Sequence, residues 1–74
     1  MIKRIINDNY EININSCFMH VKNYENIVEI YQSKIIIILK DKKLIINGSN
    51  LIICALDEYE ILIKGNIKGI EFNE

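Results

Sequence analysis

The chain has 74 residues, a formal charge of −1, two cysteines and no proline. A chain of that length makes one domain, taken here as 1–74, and buries only about 60–65% of the surface that its unfolded form exposes, so its core is thin. Near-neutral charge, with lysines spread along the sequence, supplies no basic field for a phosphate backbone and argues against nucleic acid as a partner.

Half the residues are apolar, aromatics make up only 8%, and isoleucine is the commonest residue. β-Branched side chains are stiff at χ1 and suit a pleated sheet, so the composition points to β structure. The longest pure aliphatic run, Ile35 to Leu39, is stopped by Lys34 and Lys40, far short of the roughly 20 residues a membrane helix needs. The N-terminal "MIKRIINDNY" turns polar before the apolar core of a signal peptide develops, so a cytoplasmic location is expected. Cys17 and Cys54 are then read as reduced thiols, buried as small hydrophobes.

In chain order, the apolar bursts predict strands at Ile2–Ile6, Glu11–Asn15, Cys17–Val21, Ile27–Tyr31, Ile35–Lys40, Leu44–Asn47, Leu51–Leu56, Tyr59–Lys64 and Ile67–Phe72. The connections are too short for parallel crossovers, so neighbours are antiparallel. Asp41-Lys42-Lys43, Asn47-Gly48-Ser49-Asn50, Asp57-Glu58 and Gly65-Asn66 are expected to be the hairpin turns. Gly48 and Gly65 serve there as turn glycines with freedom for positive φ, and asparagine supplies further turns through its tolerance of the left-handed region. The expected fold is all-β, a small antiparallel β-sandwich-like meander.

"EININ" alternates as a half-buried strand should, whereas four segments are apolar at consecutive positions. Ile35, Ile36, Ile37, Ile38 and Leu39 form one, Leu44 to Ile46 the second, Leu51 to Ile53 the third, and Ile61 to Ile63 the fourth. Both pleat faces of these strands want burial. Each large aliphatic side chain left in water forgoes about 1.5–3 kcal/mol, so several together rival the ~5–15 kcal/mol stability of a domain. Core and interface are accordingly assigned to Ile35 to Leu39, Leu44 to Ile46, Leu51 to Ile53 and Ile61 to Ile63, and the second face is expected to pair with another copy in a homodimer or small homo-oligomer.

The chemistry-bearing residues give no catalytic constellation. His20 follows Cys17 by three positions, which on one strand point to opposite faces, so a thiolate pair fails and a zinc site would need a bulge or turn between them, with Cys54 as third ligand and no obvious fourth. Asp57, Glu58 and Glu60 read as solvated turn carboxylates, and "KGNIKG" lacks the ending and following helix of a phosphate loop. Tyr10, Tyr24, Tyr31 and Tyr59 are scattered and form no base-stacking platform. The expectation is a non-enzymatic protein with no cofactor, no metal and no small-molecule substrate.

From Tyr24 to Phe72 the order of features is more specific than composition. "HVKNYENIVEIY", then Leu44, Ile46, Gly48 and Leu51, the Ala55-Leu56 corner, and finally Ile61, Ile63, Gly65, Ile67, Ile70 and Phe72 together resemble the YabP/YqfC family of sporulation proteins. The upstream "CFMH" suits the YqfC branch. The resemblance implies a small β-sandwich-like protein of the mother cell, non-enzymatic, acting in spore envelope (coat or cortex) formation. It also implies a YqfD-like membrane protein as partner, which would hold the domain peripherally at the forespore membrane.

A rival reading comes from "IINGSNLII" and "LIKGNIKGI", which repeat Ile-x-Gly at a 17-residue interval. Such a period would suit a rung of a polymerising β-helix scaffold similar to bactofilins.

Overall fold

The computed structural model describes residues 3–73. Among them there are seven strands, all paired antiparallel in one sheet, and no helix. They are β1 (Lys3–Ile6), β2 (Glu11–Ile14), β3 (Phe18–Lys22), β4 (Asn26–Ile30), β5 (Lys34–Ile38), β6 (Lys43–Leu56) and β7 (Glu60–Asn73). Ile2, which would begin the expected first strand, lies outside the described residues.

The strand order is β1-β2-β3-β7-β6-β5-β4, so the expected meander is broken once, between β3 and β4. That break dictates the shape. In a flat sheet β3 and β4 would stand four spacings apart, about 19 Å. The four Cα steps from Lys22 to Asn26 reach at most about 14 Å. The sheet must therefore fold over until the two strands lie in facing layers, with Asn23 at φ 65° turning the chain across. One layer holds β1, β2, β3 and the adjoining halves of β7 and β6, and the other holds β4, β5 and the remaining halves. The packing is sandwich-like although the hydrogen bonding is one continuous, open sheet.

The fold runs through the long β6–β7 hairpin. Nine strands were expected and seven occur among the described residues, because Asn47 to Asn50 and Gly65-Asn66 do not reverse the chain. They lie opposite each other inside β6 and β7, with Gly48 beside Ile67 and Ser49 beside Asn66. Two turn-prone segments at the same level make a bend in place of two hairpins: the register slips at Asn47/Gly48, Ser49/Ile52 and Ile53/Ala55. Gly48 and Gly65 are thus bend glycines, and the turn role is corrected. A Cβ on Gly48 would lie 2.2 Å from the Asn66 carbonyl oxygen, and one on Gly65, at φ 138°, 2.6 Å from that of Asn50. Asn50 itself sits at φ 54°. The same register removes the β-helix rung, since Ile46-Asn47-Gly48 and Ile63-Lys64-Gly65 belong to antiparallel neighbours.

Backbone donors at the bend are satisfied by two turns. Gly48 and Leu51 donate to Ser33 and Gln32 in the β4–β5 turn, at 3.1 and 2.9 Å. Gly65 and Ile67 donate to Cys17 and Ser16 in the β2–β3 turn, at 3.0 and 3.3 Å. Each ladder continues past its strand end and leaves these bend donors paired.

Three hairpins close by one device. The side-chain oxygens of Asn7, Asn15 and Asp57 each accept from the backbone two and three residues ahead, all at 2.8 or 2.9 Å. At Asn7 and Asn15 asparagine thus works through its side-chain carbonyl; the left-handed role expected of it belongs to Asn23 and Asn50.

Between the layers, Ile12, Met19, Val21, Ile35, Ile37, Leu39, Leu44, Ile46, Leu51, Ile61 and Ile63 are buried, with Tyr10 closing one end. Among the residues assigned to core and interface, Ile36, Ile38, Ile45, Ile53 and Leu62 are half-buried and Ile52 is exposed. Period-two alternation explains the difference on β5, where Ile35 and Ile37 face inward and Ile36 and Ile38 face out.

Gly65→Ala is expected to cost about 2 kcal/mol or more, through strain and the carbonyl clash. Gly69→Ala, where a Cβ meets nothing within 4 Å, is the control and should change stability little. Urea unfolding of both variants measures the contrast.

The backbone amides of Tyr59 and Glu60 hold the Asp57 carboxyl below its ordinary value of 3.8. A lowered folded pKa contributes stability that is complete above the unfolded value and is lost as pH falls through the folded one. Asp57→Asn keeps the turn acceptor without the titration. Its stability should therefore fall less steeply than the wild type's at acid pH, as followed by urea midpoints on stepwise acidification.

Candidate functional site

Register, read across strands, identifies the side chains on each outer face. On the β1–β3 layer, one row runs Glu11, Lys22, Glu60; the next runs Arg4, Asn13, His20, Leu62, Ala55; the third runs Phe18, Lys64, Ile52. Phe18, Leu62, Ala55 and Ile52 therefore meet on the outside of β3, β7 and β6. Leu56, at the hairpin end, joins Phe18, Leu62 and Ala55 around a shallow depression of about 360 Å³, bordered also by His20, Asp57 and Glu60. Ile52 and Leu56 are each 56% exposed and Phe18 is 38% exposed. Apolar side chains so placed form a surface that gains from being covered.

Polar contacts fix the border. His20 Nε2 lies 2.9 Å from Glu60 Oε1, joining β3 to β7 beside the depression. Tyr24, just past β3, donates its hydroxyl to the Asp57 carbonyl at 2.5 Å, and the Asn23 amide donates to the Tyr59 carbonyl at 2.6 Å. The layer crossing is thus tied to the β6–β7 turn, and the turn is held against the depression. Farther out, Glu11 is held below its ordinary 4.5 first by the Asn13 side-chain amide and also by Arg4, whose guanidinium lies 3.3 Å from it.

The second layer presents a different outer face. Ile36 and Ile45 stand in one row with Glu29 and Glu71 at its two ends, and Ile38 stands beside Lys43 in the next. These isoleucines are half-buried, so less apolar area is open here. The sheet edges are guarded. β4, although Val28 and Ile30 are exposed, carries a register shift between Ile27 and Glu29, and β1 is four residues long with Lys3 and Arg4 on it.

The residues weighed for metal or thiol chemistry are dispersed. Cys17 is exposed in the β2–β3 turn and Cys54 is exposed at the β6 irregularity, which corrects the expectation that both are buried in the core. Turn and bulge positions turn side chains away from the interior. Among the described residues no group of three or more His, Cys, Asp or Glu is close enough to hold a metal. His20 has Glu60 as its partner, not Cys17.

Sequence reasoning named Ile52 and Leu62 within the segments Leu51 to Ile53 and Ile61 to Ile63, but it missed Phe18. Phe18 and Ile52 become neighbours only through Lys64, and that contact depends on the β3–β7 pairing, which joins residues far apart in the chain. No family model, curated protein or solved structure matches the chain.

Proposed function

We propose that this domain is a non-enzymatic assembly module that pairs with a second copy of itself and docks onto a larger partner. The observation that carries the reading is the open apolar depression at Phe18, Ala55, Leu56 and Leu62, with the exposed Ile52 on the same face, which suits contact with protein. Covering several such side chains recovers part of the free energy that water exposure forfeits, and the remainder after association entropy sets the affinity.

The resemblance of the Tyr24 to Phe72 stretch to YabP/YqfC proteins supplies the setting. In this reading the domain acts in the cytoplasm of the mother cell of a sporulating bacterium, and a YqfD-like membrane protein holds it peripherally at the forespore membrane. Its contribution is to assembly of the coat or cortex, without cofactor or small-molecule substrate.

The expected solution mass is twice the 8.7 kDa of the chain. Ile52→Asp, at an exposed position, should leave unfolding free energy within about 1 kcal/mol of wild type and reduce that mass to a single chain. Affinity capture from sporulating cells should recover the YqfD-like protein. A stable monomer at micromolar concentration that also captures no membrane protein would remove the reading.

A further inference from the structure

The charges bordering the depression specify how two copies meet. Along β7 the outward side chains are Glu60, Leu62 and Lys64, an acid and a base placed symmetrically about a leucine. Successive outward residues on a strand are about 6.8 Å apart, so each charge stands the same distance from Leu62. Two such faces can be stacked about a two-fold axis that lies between them and crosses the strands at Leu62. Leu62 then meets its symmetry mate. Glu60, whose Oε1 also lies 2.9 Å from His20 Nε2 of its own chain, faces the second copy's Lys64, and Lys64 faces the second copy's Glu60. A two-fold interface is self-complementary by construction, and this sequence of acid, apolar and base satisfies that demand within one strand.

On the neighbouring strands the same axis sets His20 of β3 over its own mate and Ile52 of β6 over the second copy's Asp57. On β3, Lys22 comes over the second copy's Phe18, an aromatic face that accepts a cation. Arg4 lies three strands away on β1 and is already paired with Glu11, and stacked sheets cross at about 30°, so this rim diverges from its mate. The other layer's outer face cannot pair in this way. Its central row ends in Glu29 on one side and Glu71 on the other, so either two-fold orientation along or across the strands sets carboxylate against carboxylate.

We infer that the chain forms a two-fold homodimer by stacking the outer face of β3, β7 and β6 on the same face of a second copy, with reciprocal Glu60 and Lys64 pairs flanking a Leu62 contact. The inference rests on the pairing reading above and names its surface and geometry.

Charge reversal tests it. Glu60→Lys alone and Lys64→Glu alone each set like charges together twice, and each should weaken the dimer by at least about tenfold in sedimentation equilibrium. The double variant Glu60→Lys/Lys64→Glu restores opposite charges across the axis and should recover the dimer. Circular dichroism and urea unfolding of each variant separate loss of pairing from loss of fold. In a Cys17→Ser/Cys54→Ser background, Leu62→Cys should give a disulfide-linked dimer on mild oxidation, and Ile45→Cys, on the opposite outer face, should not. A wild-type chain monomeric at all concentrations overturns pairing and geometry together. A wild-type dimer that tolerates both single reversals, is not rescued by the double, or links through Ile45→Cys instead, overturns this geometry and leaves pairing in place.

Discussion

Three residues between β3 and β4 set the architecture. They are too few to reach across a flat sheet, so the sheet bends until its two halves face each other. The rest follows from where bending is cheap. Gly48 and Gly65 allow the β6 and β7 backbones to approach within distances that a Cβ forbids, and the irregularities around them let both strands change direction without ending. Two turns brought in from the flanks accept at their carbonyls from the amides there, so the bend forms without orphaned donors at these four positions. Eleven large side chains and a tyrosine then fill the space between the layers, and no buried polar side chain among the described residues interrupts them.

A sheet folded on itself can bury only its concave side. The convex side of each half stays with solvent unless another molecule arrives, and the isoleucine-rich composition means that both convex sides carry apolar residues. The two halves handle this differently. Around Ile36 and Ile45, carboxylates close the row and neighbouring side chains cover part of the aliphatic surface. Around Leu62 the aliphatic and aromatic groups stand open and the flanking charges have opposite signs. The contrast is between an apolar face that carboxylates and neighbouring side chains partly close and one whose Phe18, Ile52 and Leu56 stay exposed.

The class of fold was legible in the sequence because β-branched residues and period-two alternation act locally. Ile12 in "EININ", and Ile35 and Ile37 in the isoleucine run, could be placed without knowing any partner strand. What sequence alone obscured was non-local. Gly48 and Gly65 carry the residue types of turns, and only their juxtaposition converts two reversals into one bend. Cys17 and Cys54 have the composition of core residues but occupy a turn and a bulge. The outer patch is the extreme case: Phe18, Leu62 and Ile52 come from three strands, and their meeting depends on register, which a run of isoleucines specifies poorly.

The pairing of β3 with β7 also governs the order in which the polypeptide matures. During translation, β1 to β3 emerge early, with Met19 and Val21 along one side, yet their neighbour in the sheet is the seventh strand. At about 5–20 residues per second, the 38 positions separating Lys22 from Glu60 leave that side bare for roughly 2–8 s. A nascent chain of this topology exposes a sticky half-sheet to its surroundings throughout that interval, and it completes its fold only once β7 has cleared the ribosome.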